Sequence, residues 1–286
     1  SSGSKTYDAN TDALAGAITL SNLVSGEALN HSGTATIGSA NAGSYTITNL
    51  SGISIADGSG GTASNYTLTG GTHNFTVNPK AISLSGTRLY DATTNAVASD
   101  LTTISGRVGS ETLALSGTGS VANANVGNNK TVTLGTLALG DGTGLAANYT
   151  LSGGTHQLTV NQRPLAATIA RQYDGTKTAT GSDLSAFDAL QGGETLTLSG
   201  SGTVGDENVA NGQGVTLGTL ALVNGTGLAS NYSLNTASLN ITKRVLSSSG
   251  SKTYDANTDA LAGAITLSNL VSGEALNHSG TATIGS

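Results

Sequence analysis

The segment Thr131–Leu139, TVTLGTLAL, alternates apolar and polar positions. Val132 and Leu134 share one face, and Leu137 and Leu139 resume the alternation after a slip. A period of two over so few residues predicts a half-buried strand. Val215–Leu222, VTLGTLAL, repeats the pattern, and the slips fall at Gly135 and Gly218, where a bulge is expected to re-aim the strand. Asp57-Gly58, Asp141-Gly142 and Asn224-Gly225 stand in nearly equivalent places after that strand and predict hairpin turns, because both positions tolerate positive φ. The one helical sign is the i, i+3 spacing of Leu184, Phe187 and Leu190, enough for a single turn.

The alternation belongs to a longer period. The pair Tyr-Asp occurs at Tyr7-Asp8, Tyr90-Asp91, Tyr173-Asp174 and Tyr254-Asp255, and Asn-Tyr-(Thr/Ser)-Leu begins at Asn65-Tyr66, Asn148-Tyr149 and Asn231-Tyr232. Steps between successive markers are 83 residues, except a final 81. Glu27, Glu111, Glu194 and Glu274 follow the Tyr-Asp pairs by 20 or 21 residues, and the cations Lys80, Arg163 and Arg244 close the units. Placing joints just after these cations gives repeat one at 1–80, repeat two at 81–163, repeat three at 164–244 and the first half of a fourth at 245–286. Residues 1–39 return letter for letter as 248–286, so the fourth begins a new three-repeat block. Both ends read as cuts in a longer array, and the absence of Met is expected of an excised interior piece.

A repeat of about 82 residues is too long for one solenoid coil and long enough for a small domain with its own core. The expected class is all-β: a tandem array of small β-sandwich, Ig-like domains, with β-grasp-like units as the alternative. No linker separates the repeats, so one strand is expected to run almost directly into the next.

Composition removes several functions. The chain lacks Cys, so thiol catalysis, disulfides and thiolate metal sites are excluded. A net charge of −6 speaks against nucleic acid as a partner. No apolar run approaches the ~18 residues of a membrane span. Charged residues make up 10% of the chain, against roughly 25% in ordinary soluble proteins, and Ser, Thr, Asn and Gly supply the polar surface instead.

Candidate chemistry is sparse. Asp57 and Asp141 could supply oxygen ligands to calcium, but the third repeat has Asn224 there and no partner carboxylate recurs, which favours a turn. Asp8 with Glu27 is the periodic carboxylate pair a glycosidase would need, without any sign of a cleft. His73 and His156 match one another but have no equivalent in repeat three. Lys80 is replaced by Arg163 and Arg244, which rules against a recurring isopeptide crosslink. Tyr, Asp, Asn and Glu recurring once per repeat are read as markers of the fold: the ring packs in a thin core, and Asp caps a turn. The expectation is therefore no catalysis, no cofactor and no metal.

YDGTK at Tyr173, with YDAN and YDAT at the equivalent places, followed by Asn-Tyr-Thr-Leu and a closing ITK-type strand, resembles the YDG-type repeats of large secreted bacterial surface proteins, the filamentous-haemagglutinin-like adhesins and exoproteins. Repeats one, two and four carry Ala in place of the Gly. The resemblance implies an extracellular or cell-surface place and a structural role: a segment of a long fibre or adhesin stalk that gives length and rigidity for adhesion or biofilm matrix. Partners would be neighbouring repeats of the same array, other fibres or matrix polysaccharide. Two alternatives stand beside it: a multivalent glycan-binding module, and a subunit that polymerises by strand complementation between chains.

Overall fold

The computed structural model describes residues 1–285. Among them there is no α-helix; strands are joined by turns and by single-turn 3-10 segments. Among the described residues no helix is long and apolar enough to cross a membrane. The chain forms two compact units, Ser1–Leu89 with Thr93–Asn161, and Tyr90–Ala92 with Gln162 onward.

Each complete repeat is built on a four-stranded mixed sheet whose centre is a parallel pair of its first and last strands. In repeat one Ser2–Thr6 lies parallel to Asn74–Asn78, with Ile18–Thr19 and Gly43–Thr46 antiparallel on the flanks. A second, antiparallel layer joins Asp12–Leu14, Leu29–Thr36 and Ile53–Asp57. Repeat two has Ser83–Leu89 beside His156–Asn161, flanked by Thr103–Ser105 and Gly127–Thr131. Both of these repeats lie in the first unit.

In the second unit, repeat three pairs Arg163–Gln172 with Tyr232–Thr242, flanked by Leu184–Phe187 and Ala210–Gly214. Burial along the central strands alternates, as a pleated sheet with one covered face requires. Ala167, Ile169, Leu239 and Ile241 from the mixed sheet meet Ala179 and Leu198 from the small antiparallel pairs and Val204 and Leu220 beside them. The core thus sits between two sheet layers, and the chain is an all-β tandem of β-sandwich repeats of about 80 residues. The short helix that a β-grasp unit lays across its sheet is absent among the described residues.

Three local expectations are corrected. Leu184, Phe187 and Leu190 do not form a helical turn: Leu184–Phe187 is an edge strand, and the 3-10 turn lies just before it at Gly181–Asp183. Thr131–Leu139 is not one bulged strand. Gly127–Thr131 belongs to the mixed sheet and Ala138–Asp141 to the other layer, with Gly135 between them at φ +56°. A Cβ there would stand 2.5 Å from the Thr118 carbonyl oxygen, so this glycine ends one strand and lets the chain change layers. The Asp-Gly and Asn-Gly pairs do not close hairpins either. Asp57, Asp141 and Asn224 each accept a backbone N–H through Oδ1, from Ala63, Ala146 and Ala229, each at 2.7 Å. They set the 3-10 turns that lead to Asn65, Asn148 and Asn231. An amide oxygen serves that purpose as well as a carboxylate, which explains Asn224.

Candidate functional site

The marker residues gather where one repeat meets the next. Tyr7 follows the first strand of repeat one, yet its hydroxyl donates to Glu111 Oε1 of repeat two at 2.7 Å. Tyr149, of the Asn-Tyr pair in repeat two, donates to the other oxygen, Oε2, at 2.5 Å and accepts the Val108 N–H at 2.9 Å. The two rings meet edge to face, centroids 5.4 Å apart at 79°, a favourable geometry for aromatic pairs. Both are buried. One carboxylate is therefore clamped between two phenols, one from each repeat.

The second unit contains the same arrangement. Tyr90 donates to Glu194 Oε1 and Tyr232 to Oε2, each at 2.6 Å, and Tyr232 accepts the Gln191 N–H at 3.1 Å. The rings lie 5.3 Å apart at 78°. Two partial versions complete the series. Tyr66 donates to Glu27, and Tyr173 donates to Glu274. Each Glu is held by a tight turn, which in the first three cases just precedes a strand: the N–H groups of Glu27, Glu111, Glu194 and Glu274 reach the carbonyls of Val24, Val108, Gln191 and Val271 at 2.9–3.2 Å.

The remaining markers support this clamp. Arg163 Nε donates to the Tyr90 carbonyl at 2.8 Å, and Arg244 donates to the Tyr173 carbonyl and to Asn269. Lys80 and Arg163 start strands that pair in parallel with Tyr149 and Tyr232. Asn148, 1% exposed, donates to Asn41 Oδ1 at 3.0 Å and accepts the Ala42 N–H at 2.8 Å, a second contact between repeats one and two. Asn231 is equally buried.

The Asp of each Tyr-Asp pair works within its own turn. Asp8 accepts from Lys5 and from the Asn10 N–H, and Asp174 from Arg171 and Thr176. Burial alone would raise these carboxyls, but the Lys5 and Asn10 bonds at Asp8, and the Thr176 bonds and Arg171 at Asp174, hold both below the ordinary aspartate value. Asp255 accepts from Lys252 in the same way, so the cation three residues earlier is a partner that sequence reasoning passed over. The next residue is left-handed in all four copies: Ala9 at φ +64°, Ala92 at +62°, Gly175 at +74° and Ala256 at +60°. This is the physical reason for Gly in that motif position.

Electrostatics at the clamp follow from its geometry. Burial first, and then the bond to the neighbouring carboxylate, push the Tyr7, Tyr90 and Tyr232 phenols up to about 12; Tyr149 is raised by the same two causes. The phenols stay neutral donors across ordinary pH. Asp8 and Glu27 do not come together as an acid–base pair: Asp8 is taken by Lys5 and Glu27 by Tyr66. His73 and His156 bond through Nε2 to the Leu68 and Leu151 carbonyls at 2.8 Å, closing a loop within each repeat. No group of three or more His, Asp or Glu gathers as a metal ion would require among the described residues.

The YDG domain family model matches the chain three times in tandem, at residues 1–74, 72–158 and 154–240. No curated protein and no solved structure matches. The chain belongs to the YDG domain family, and its tandem copies make a repeat-based structural or binding module.

Proposed function

We propose that the chain is a structural segment of a long extracellular bacterial fibre or adhesin stalk, exported to the cell surface and without catalytic activity. The observation that carries this reading is the Tyr–Glu–Tyr clamp, in which a phenol from one repeat reaches a carboxylate 104 residues further on. A short connection within the first unit supports it: a single residue separates Asn74–Asn78 from Lys80–Ala81. A connection this short, reinforced by side-chain bonds, resists bending and adds an interface term to the stability of the repeats it joins. Length and stiffness are then the product of the sequence, and neighbouring repeats are its first partners. Other fibres or matrix polysaccharide are the further partners this reading expects.

Single-molecule stretching of the chain tests the reading. Successive rupture events of similar contour length support a stalk of separate beads, whereas one cooperative event for the whole chain refutes it. Protease accessibility on intact producing cells tests the location: protection from external protease rules out the surface.

A further inference from the structure

Each complete repeat begins and ends with strands that lie side by side and point the same way. In repeat three the partners run from Arg163↔Tyr232 to Gln172↔Thr242, with one irregularity between Leu165 and Ala166. Just beyond, the Tyr173 N–H donates to the Thr242 carbonyl at 2.9 Å. Leu184–Phe187 and Ala210–Gly214 flank the pair on its two outer sides, so neither central strand is an edge. Leu165, Ala167, Ile169, Leu239 and Ile241 are buried on one face of it.

Tension along the chain enters repeat three at Arg163 and leaves at Thr242. In a parallel pair those two residues stand at opposite ends. The pull therefore slides one strand along the other, and the inter-strand bonds share the load. Drawn from one end instead, the same bonds would open one after another. Water, which compensates a broken bond, finds no open edge on the central pair. Ser2–Thr6 with Asn74–Asn78, and Ser83–Leu89 with His156–Asn161, have the same geometry. There, however, a loop closed by His73 or His156 stands between the Asn-Tyr pair and the last strand. Repeat three is two residues shorter at that place, and its last strand runs unbroken from Tyr232 to Thr242.

We propose that the parallel first and last strands are a shear clamp, that the repeats bear tension along the chain, and that repeat three is the last to yield. A response to tension goes beyond length and stiffness, and it belongs to the single repeat whether or not the array is a stalk.

The chain has no Cys, so a pair introduced by substitution fixes the points where force is applied. In the full chain, Gln162→Cys with Lys243→Cys loads the two strands of repeat three from opposite ends. Thr176→Cys with Lys243→Cys draws both from the same end, and all three side chains are exposed. Pulled at one speed, the opposite-end pair should rupture at about twice the force of the same-end pair or more, because rupture is governed by the barrier in the loaded direction. Release of roughly 240–290 Å of extended chain identifies the event as repeat three. Equal forces, or a higher force for the same-end pair, overturn the clamp. Thr168→Cys with Ser238→Cys, at facing positions, can be oxidised to a disulfide that bars repeat three from opening. Stretched from its ends, the oxidised chain should lack the event of highest force and keep the others; loss of a weaker event overturns the ranking. The number of events bears on the stalk and their dependence on direction bears on the clamp, so either can fail alone.

Discussion

Removing the Tyr7 hydroxyl and the Glu111 carboxylate, singly and together, measures the clamp directly. Tyr7→Phe keeps the ring, its burial and its edge-to-face contact with Tyr149, and deletes one bond of 2.7 Å to a charged acceptor. Such bonds contribute about 1.5–3 kcal/mol, so the single substitution should cost that much. Glu111→Ala deletes two bonds at once and leaves two buried phenols without an acceptor, although Tyr149 still receives the Val108 N–H. The expected cost is about 3–5 kcal/mol. With Glu111 gone, the Tyr7 hydroxyl has nothing to donate to, so the double variant should cost less than the sum by about 1.5–3 kcal/mol, the coupling of the pair. Urea unfolding of the full chain by far-UV circular dichroism gives the energies, and hydrogen exchange assigns them to residues 1–161. Tyr254→Phe is the control: it makes the same chemical change at an exposed side chain and should leave stability unaltered. Additivity within about 0.5 kcal/mol would refute the clamp as an energetic unit.

Other outcomes follow from the same geometry. Because the Tyr7, Tyr90 and Tyr232 phenols are raised to about 12 in the folded chain, against about 10 when unfolded, their stabilisation is fully present below pH 10 and lost as pH rises through 12; ultraviolet titration should show a late phenolate wave that coincides with loss of circular dichroism. Ala9→Gly should raise stability by about 0.5–1 kcal/mol in a thermal melt, since the position is left-handed at φ +64° and Gly175 already holds its counterpart. Asp141→Asn should be nearly neutral and Asp141→Ala should cost about 1 kcal/mol, because a single Oδ1 acceptor sets the turn before Tyr149; urea midpoints distinguish the two.

Much of the repeat could be read from residue pattern. Short alternating runs mark the chain as all-β, and the recurrence of Tyr, Asn and Glu marks the period. The partner of each marker could not be read, for a reason of symmetry: in a periodic chain a contact within a repeat and a contact to the next repeat leave the same spacing in every copy. Tyr7 was assigned to the core of its own repeat on that account, whereas it packs on Tyr149 and Glu111. The parallel pairing of first and last strands was invisible because no turn joins them. Gly135 and Gly218 were read as bulges because a slip in alternation looks the same whether the strand bends or ends; only the positive φ and the facing carbonyls separate the two. Lys5, Arg171 and Lys252 leave no repeated letter, because Lys and Arg stand in for one another at that position and only the charge recurs.

The clamp also gives each repeat a direction. Repeat one offers a phenol, Tyr7, and repeat two receives it with Glu111 and Tyr149, while Tyr90 goes on to Glu194 and Tyr232. Giving and receiving groups lie on different parts of a repeat, so the joint is heterologous: the surface that gives cannot pair with itself. Heterologous contacts propagate until something occupies the last acceptor, and a covalent chain fixes the order in which they are made. A repeat deprived of its neighbour loses on both sides, once for a Glu without one of its phenols and once for a Tyr without its carboxylate. Stability therefore grows with each added repeat by more than the repeat's own folding energy, so interior repeats are the strongest and the terminal ones are where an array of this kind opens first.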